Sequence, residues 1–408
     1  MKRDKMKLSA RSDAYIIPEY SLTGDLLSFL TCNLQYRYQN RGTLPPSMPV
    51  QLWFGEFIHG VMEEAFLEWE NTKKQFPWDW KEDVRPIEDM IDLRLQVRGL
   101  YPPKNHFFTT NSPDSKITSD DINAHDHKKL ASARAHEAIN TWGPHLFPLI
   151  DSAELLIKGL RNMPNYDEKK SRSNYYGING VIDVLSSIKI DETIGNNQSI
   201  LDNYTNKIIE FLKKDTDFQK NISEIDGNEY EIIIDYKGMK RPSTSDKTWE
   251  HHKQQILTYS WLRSKQEDAK PIVAGIIFYL NELVPSYEDL QSMQIEIEND
   301  QTDIEIGEED FDKIMNWDKT KDYPQLSDEL KEKRSFRIIT INEDEIDNAL
   351  EKFDAVVYDI EKSIIDERDG CNIKQAWKAE AEERTCNACD FKTFCGNEKN
   401  KKKNFKIP

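Results

Sequence analysis

The stretch Glu231-Ile-Ile-Ile-Asp-Tyr-Lys237 decides the fold. Its β-branched run predicts a strand over residues 230–237. Alternate residues of a strand share a face. Ile232, Ile234 and Tyr236 therefore fall on one face, and Asp235 and Lys237 on the other. A carboxylate and an ammonium at the end of an apolar strand are costly to bury without partners. Asp235 is suited to a divalent metal, and Lys237 to orienting a water or neutralising a developing charge. The same pair also describes an ordinary salt bridge near the surface, so its surroundings must decide.

Working outward, Gly180-Val-Ile-Asp183 lies in a second strand, predicted over residues 176–188. Asp183 interrupts the apolar run Val181, Ile182, Val184 and Leu185. On a strand next to Asp235 it completes a two-carboxylate cage suited to magnesium or manganese. Glu154 starts a strand over residues 153–160 and is a further carboxylate of the cage, a contact behind the ligands or a strand-edge charge. Downstream, a helix over 249–262 carries Gln255 and Tyr259 one turn apart on one face, and a strand over 271–280 follows. Upstream, residues 51–70 form an amphipathic helix with Phe54, Ile58, Met62, Ala65, Phe66 and Trp69 on its apolar side. His59 follows Ile58 at the border of that side, with Glu63 one turn on to orient its ring.

Further elements complete the chain. Ser21 or Thr23 caps a short helix that runs to Leu30. A helix is predicted over 127–142, a last strand over 336–341 and a helix over 346–365. Residues 101–126 read as a long loop. Residues 191–228 read as an insertion with a helical stretch near 204–213. Residues 296–312 hold nine acidic residues and no Lys or Arg, which predicts a solvated surface excursion. The expected organisation is a helical region over 1–150, a core over 151–370 with insertions near 191–228 and 284–333, and a cysteine segment with a basic tail over 371–408.

The five cysteines are Cys32, Cys371, Cys386, Cys389 and Cys395. An odd, sparse set is no disulfide framework. Cys386-x2-Cys389-x5-Cys395 places three thiolates within ten residues, and Cys32 or Cys371 can supply a fourth. Thiolates suit zinc or an iron–sulfur cluster. A single Cys-x2-Cys half, a five-residue gap and one distant cysteine fit a cubane better than zinc. If Cys32 shares that centre, the two ends of the chain are clipped around the sheet.

The 408 residues carry 73 Asp plus Glu against 55 Lys plus Arg, a formal charge of -18. Aromatic residues at 10% exclude a disordered chain. No apolar run is long enough for a bilayer, and residues 1–10 are too polar for a signal peptide, so a soluble cytoplasmic protein is expected. The acidity argues against a phosphate-bearing partner. Against that, Lys240, Arg241, Lys247, Lys253, Arg263 and Lys265, with Lys399, Lys401, Lys402, Lys403 and Lys406 in the tail, predict a local basic track.

The order His59, Gly180-x2-Asp183, Asp235-x-Lys237 and Gln255-x3-Tyr259 resembles the PD-(D/E)XK nuclease superfamily, specifically its RecB-like exonuclease branch. The flanking Cys32 and Cys386-x2-Cys389-x5-Cys395 resemble its iron–sulfur subset, which includes the AddB nuclease domain, CRISPR-adaptation exonucleases and mitochondrial-type exonuclease V. Residues 20–32 and 55–64 also look like the first helices of those domains. The resemblance implies an α/β, restriction-endonuclease-like core: a central mixed sheet flanked by helices, with N-terminal helices and a C-terminal iron–sulfur knot. It implies that His59, Asp183 and Asp235 ligate magnesium or manganese together with the Tyr236 carbonyl. Lys237 would position the attacking water, and Gln255 and Tyr259 would contact substrate or the lysine. Cys32, Cys386, Cys389 and Cys395 would hold a structural 4Fe-4S cluster, leaving Cys371 a structural thiol. The implied activity is hydrolysis of DNA, single-stranded or free-ended, in repair, recombination or anti-phage processing. The chain has no Gly-x4-Gly-Lys-Ser/Thr loop, so a motor would come from a superfamily 1 helicase partner. The alternative is a non-catalytic iron–sulfur DNA-end-binding subunit of a helicase–nuclease complex. The 51 residues between Asp183 and Asp235 depart from the usual tight hairpin.

Overall fold

The computed structural model describes residues 17–40, 50–101, 126–191, 206–318, 320–321, 324–381, 383–389 and 391–395. The expected loop at 101–126 falls almost wholly outside them, as do the lysines of the tail. The described strands, in chain order, are β1 (Glu19–Ser21), β2 (Ile150–Asn162), β3 (Tyr175–Lys189), β4 (Glu229–Lys237), β5 (Ile272–Tyr279) and β6 (Phe336–Thr340). The helices are α1 (Ser28–Thr31), α2 (Asn33–Asn40), α3 (Val50–Thr72), α4 (Arg85–Val97), α5 (Asp126–Leu146), α6 (Lys207–Lys214), α7 (Thr216–Ser223), α8 (Lys247–Ser264), α9 (Tyr287–Glu298), α10 (Glu308–Met315), α11 (Asp328–Ser335) and α12 (Glu343–Arg368). Three short turns follow: α13 (Ile373–Ala376), α14 (Glu383–Ala388) and α15 (Lys392–Cys395).

The strands form one mixed sheet in the order β1-β3-β4-β5-β6, with β2 paired to β3. β4 and β5 run parallel, joined by α8 as a crossover helix. β3 pairs antiparallel with both β2 and β4. The alternation in β4 sorts the two cores. Ile232, Ile234 and Tyr236 pack with α3, α4 and α5, whereas Ile233 packs with α8 and α12. α8 starts cleanly because the Asp246 side chain accepts the Thr248 N–H.

The start of the chain differs from expectation. Residues 19–21 are strand, followed by π-helical turns over Leu22–Leu27 before α1. The Ser21 side chain caps nothing; its backbone N–H donates to Asp25 Oδ2 at 2.8 Å. Leu34 N–H donates to the Lys378 carbonyl at 3.1 Å, and Arg37 Nε to Glu367 at 2.7 Å, so the first helices lie against the last.

The acidic excursion is the main correction. Helices α9, α10 and α11 build a small core of Leu290, Met293, Ile314, Trp317, Leu326 and Leu330. Glu296 and Asp310 are buried, not solvated. Buried Arg334 pairs with Glu282 at 2.6 Å and Glu296 at 3.0 Å. Asp303 takes Arg241 at 2.9 Å and Arg337 at 2.8 Å. The segment itself has no cations, so local composition looked solvated. Its partners come from β6, α11 and the loop after Lys237.

Candidate active site

The site begins as a register position. Val184 of β3 stands opposite Ile234 of β4, so the next position sets Asp183 opposite Asp235. Ala153 and Leu155 of β2 stand opposite Val184 and Ile182, which sets Glu154 opposite Asp183. Three carboxylates thus form one row across three strands. The face of the ribbon reverses at this row. Ala153 and Val184 pack on the α3 side, while Leu155 and Ile182, two residues along each strand, pack on the α8 side. Glu154 absorbs the reversal with a φ of 50°. That conformation costs a non-glycine residue of order 1–3 kcal/mol and persists where the surroundings enforce it.

Helix α3 brings His59 over the row. Its Nδ1 lies 3.4 Å from Asp183 Oδ2, and its ring meets Tyr236 edge-on at 6.0 Å. Asp183 Oδ2 also accepts the Tyr236 backbone N–H at 2.9 Å. Burial raises the Asp183 carboxyl to about 6; His59 opposes the shift and Asp235 reinforces it. Partial desolvation, then the charges of Asp183 and Glu63, raise Glu154 to about 7. Glu63 is itself pushed up by burial and by Glu64.

Asp235 and Lys237 share the other side of β4 with α8. Lys237 Nζ lies 2.5 Å from Asp235 Oδ2 and donates to Gln255 Oε1 at 3.0 Å. Gln255 Nε2 donates to Asp235 Oδ1 at 3.0 Å and reaches Tyr259 Oη at 3.3 Å. One side chain therefore fixes both charged groups. Helix and sheet can approach this closely because Gly180 has no side chain. A Cβ there would stand 2.4 Å from Tyr259 Cε1.

The donors fit a divalent cation. One ligand atom each from His59, Glu154 and Asp183 lie within 4.8 Å of one another. Asp235 Oδ2 is buried and has no hydrogen-bond donor, because the Lys237 contact lacks hydrogen-bonding geometry. Carboxylates with one imidazole suit magnesium or manganese better than a soft metal. Glu154 lies within this set, one of the placements its sequence position left open. Its unusual φ has no sequence signal, since nothing in the run Ser-Ala-Glu-Leu-Leu marks a left-handed residue.

At the far end of the chain, Cys32, Cys386, Cys389 and Cys395 line one small cavity with Gln35 and Lys392. Burial raises the thiols of Cys32 and Cys389. Cys371 is exposed and does not line that cavity.

Residues 222–396 match the family model of the PD-(D/E)XK nuclease superfamily. The match spans β4, α8 and the cysteine segment, with Asp235, Lys237, Gln255 and Tyr259 inside it. His59, Glu154, Asp183 and Cys32 lie before it and reach the site through sheet register and helix packing. No curated protein matches the chain. No described helix is long and apolar enough to cross a membrane.

The expected basic track dissolves in part. Arg241 is buried and held by Asp303. Arg263 is buried between Glu231 at 2.7 Å and Asp268 at 2.6 Å. Lys253 pairs with Glu345 at 2.5 Å. Arginine is favoured for buried pairing as much as for phosphate, and sequence proximity to Lys237 did not separate the two uses.

Proposed function

We propose that the chain is a metal-dependent nuclease that hydrolyses phosphodiester bonds of DNA, acting as an exonuclease on single-stranded ends. The observation that carries this is the convergence of His59, Glu154 and Asp183, with Asp235 opposite Asp183 in the sheet register and tethered with Lys237 by Gln255. His59, Glu154, Asp183 and Asp235 would hold magnesium or manganese, whose Lewis acidity activates water and offsets phosphate charge. Lys237, fixed by Gln255, donates to a phosphate oxygen or holds the attacking water. Tyr259 backs Gln255. No protein nucleophile is required.

The convergence of Cys32, Cys386, Cys389 and Cys395 supports a structural 4Fe-4S cluster joining the chain ends. A helicase partner would supply strand separation, since the sequence lacks a phosphate-loop motif.

Labelled single-stranded DNA tests the reading. Wild type with magnesium or manganese should shorten it, and Asp235→Ala or Lys237→Ala should not. Oligonucleotides blocked at the 5′ or the 3′ end give the polarity, and circular substrates detect endonuclease action. Cutting by Asp235→Ala at the wild-type rate refutes the assignment. Purified protein should be brown and contain iron; a colourless zinc protein refutes the cluster alone.

A further inference from the structure

Cys32, Cys386, Cys389 and Cys395 are all unbridged, and two of their sulfurs are already dressed by backbone donors. Cys32 stands at the start of α2, where its Sγ accepts the N–H groups of Leu34 and Gln35. Those are two of the donors that a helix leaves unpaired at its N-terminus. The Leu34 N–H is shared with the Lys378 carbonyl. Across the cavity, Cys389 Sγ accepts the Phe391 N–H. Donors of this kind orient a ligating sulfur and tune the metal that it holds.

One group at the cavity is out of balance. Gln35 lines it together with the four cysteines. The Gln35 Oε1 is shut off from solvent and, among the described residues, meets no hydrogen-bond donor. A buried acceptor in that state is costly. Thiolates cannot satisfy it, because they accept as well. An amide, however, exchanges its oxygen and its nitrogen by a half-turn about its last bond. The turned amide is a donor beside four sulfurs. Four thiolates also bring more negative charge than one divalent ion or one cubane core offsets. A metal centre in this cavity therefore needs N–H groups around it. Gln35 carries both kinds: a backbone N–H already on Cys32, and a side-chain amide with its inner end unused.

We infer that Gln35 is a positioning residue of the thiolate centre: its side-chain amide donates to metal-bound sulfur and secures Cys32, the one ligand that comes from the N-terminal side. The inference rests on the reading of the four cysteines as a metal centre and is independent of the nuclease reading. It also places the junction of the chain ends on one helix. Gln35 faces the centre, and Arg37 of the same helix holds Glu367 of α12.

Metal binding is read directly, with no activity assay. Metal-free full-length protein is titrated with cobalt(II), whose charge-transfer bands report thiolate ligands, and the cobalt is then competed off with a chelator. Wild type and Gln35→Leu should show the same thiolate bands. The variant should bind cobalt about 10- to 100-fold more weakly, the scale of losing a group that supports a ligand. Gln39→Leu, one turn further along α2 and outside the cavity, should match wild type. Melting of the metal-free proteins separates this role from packing. Gln35→Leu should melt at or above wild type, because it removes the unpartnered acceptor. A metal-free variant that melts lower makes Gln35 a packing residue and overturns the inference. So does unchanged cobalt affinity. Protein purified with iron gives a second readout. A chelator should bleach Gln35→Leu about tenfold faster than wild type, and its reduction potential should fall, since a lost N–H donor disfavours the added electron. An unchanged rate and potential overturn the inference. Wild type that binds cobalt through thiolates while Gln35→Leu binds it equally well refutes Gln35 alone and leaves the centre standing. Wild type with no thiolate bands and no iron refutes the centre and the role of Gln35 together.

Discussion

Two regions of this molecule concentrate carboxylates, and they are electrostatic opposites. In the first, Asp303, Glu282 and Glu296 meet Arg241, Arg334 and Arg337. Although burial opposes it, hydrogen bonds from Arg241 and Arg337 hold the Asp303 carboxyl well below the usual range. In the second, Glu154, Asp183 and Asp235 have Lys237 and His59 nearby, and the first two are pushed up to about 7 and about 6. One cluster is closed, its charges matched by protein. The other keeps unmatched negative charge and a buried Asp235 oxygen with no hydrogen-bond donor. Residue type does not separate them; the surplus of negative charge does. That surplus is what a functional metal centre needs and what a structural network removes.

The sharpest way to break the contrast is to change one charge in each cluster. Lys237→Ala or Asp235→Ala should lower DNA cleavage by about 10²- to 10³-fold, the scale of removing one preorganised charge, while the protein stays folded. Initial rates on single-stranded DNA measure it; a loss below about threefold would place these residues outside the chemistry. Arg334→Met should do the reverse. It leaves Glu282 and Glu296 buried without their guanidinium, which costs about 3–5 kcal/mol. Urea denaturation should show the lower midpoint, and an unchanged midpoint would mean that the network is dispensable.

A smaller effect separates the clusters by ligand. Manganese at a hundredfold its Kd should stabilise wild type by about 2.7 kcal/mol. Asp183→Asn should abolish that increment, and Arg334→Met should retain it on a lowered baseline. If Asp183→Asn gains as much from manganese as wild type, the metal sits elsewhere.

The contrast also explains what sequence could and could not convey. The strand Glu229–Lys237, helix α3 and the Gln255–Tyr259 pair were visible because their physics is local: alternation, amphipathic spacing and one-turn proximity. Cys386, Cys389 and Cys395 were visible as spacing, but that Cys32 rather than Cys371 lines their cavity is a product of the fold. The arginine clusters were not. Arg241 looks like a phosphate contact beside Lys237 until Asp303, 62 residues away, is folded against it. Helix α4 was also missed; its apolar residues Ile87, Ile91 and Leu95 are spaced correctly but diluted by Arg, Glu and Asp. Glu154 owes its place to a face reversal between two long strands, and such long-range register leaves no mark in a short window.

The smallest effect, and the most direct reading of the contrast, is the pH dependence of metal-free stability. Asp183 and Glu154 have folded values above their unfolded ones, near 4. The folded state therefore holds their protons where the unfolded state has released them. Their contribution is present at low pH and lost as pH rises through about 6 and about 7. Asp303 has the opposite sign: its contribution is present above the usual carboxylate range and lost only as pH falls through its depressed value. In EDTA, wild type should lose stability from pH 5 to pH 8, with each bound proton contributing at most about 1.4 kcal/mol per pH unit. The double variant Asp183→Asn/Glu154→Gln should flatten most of that slope. A residue of it should remain from Glu88, which burial raises to about 7 against the hydrogen bonds of Ser132 and Trp80. Asp303→Asn should lower stability at every pH in that window without changing the slope. If Asp303→Asn flattened the slope and the double variant did not, the two clusters would have exchanged roles, and the surplus of negative charge would not mark the site.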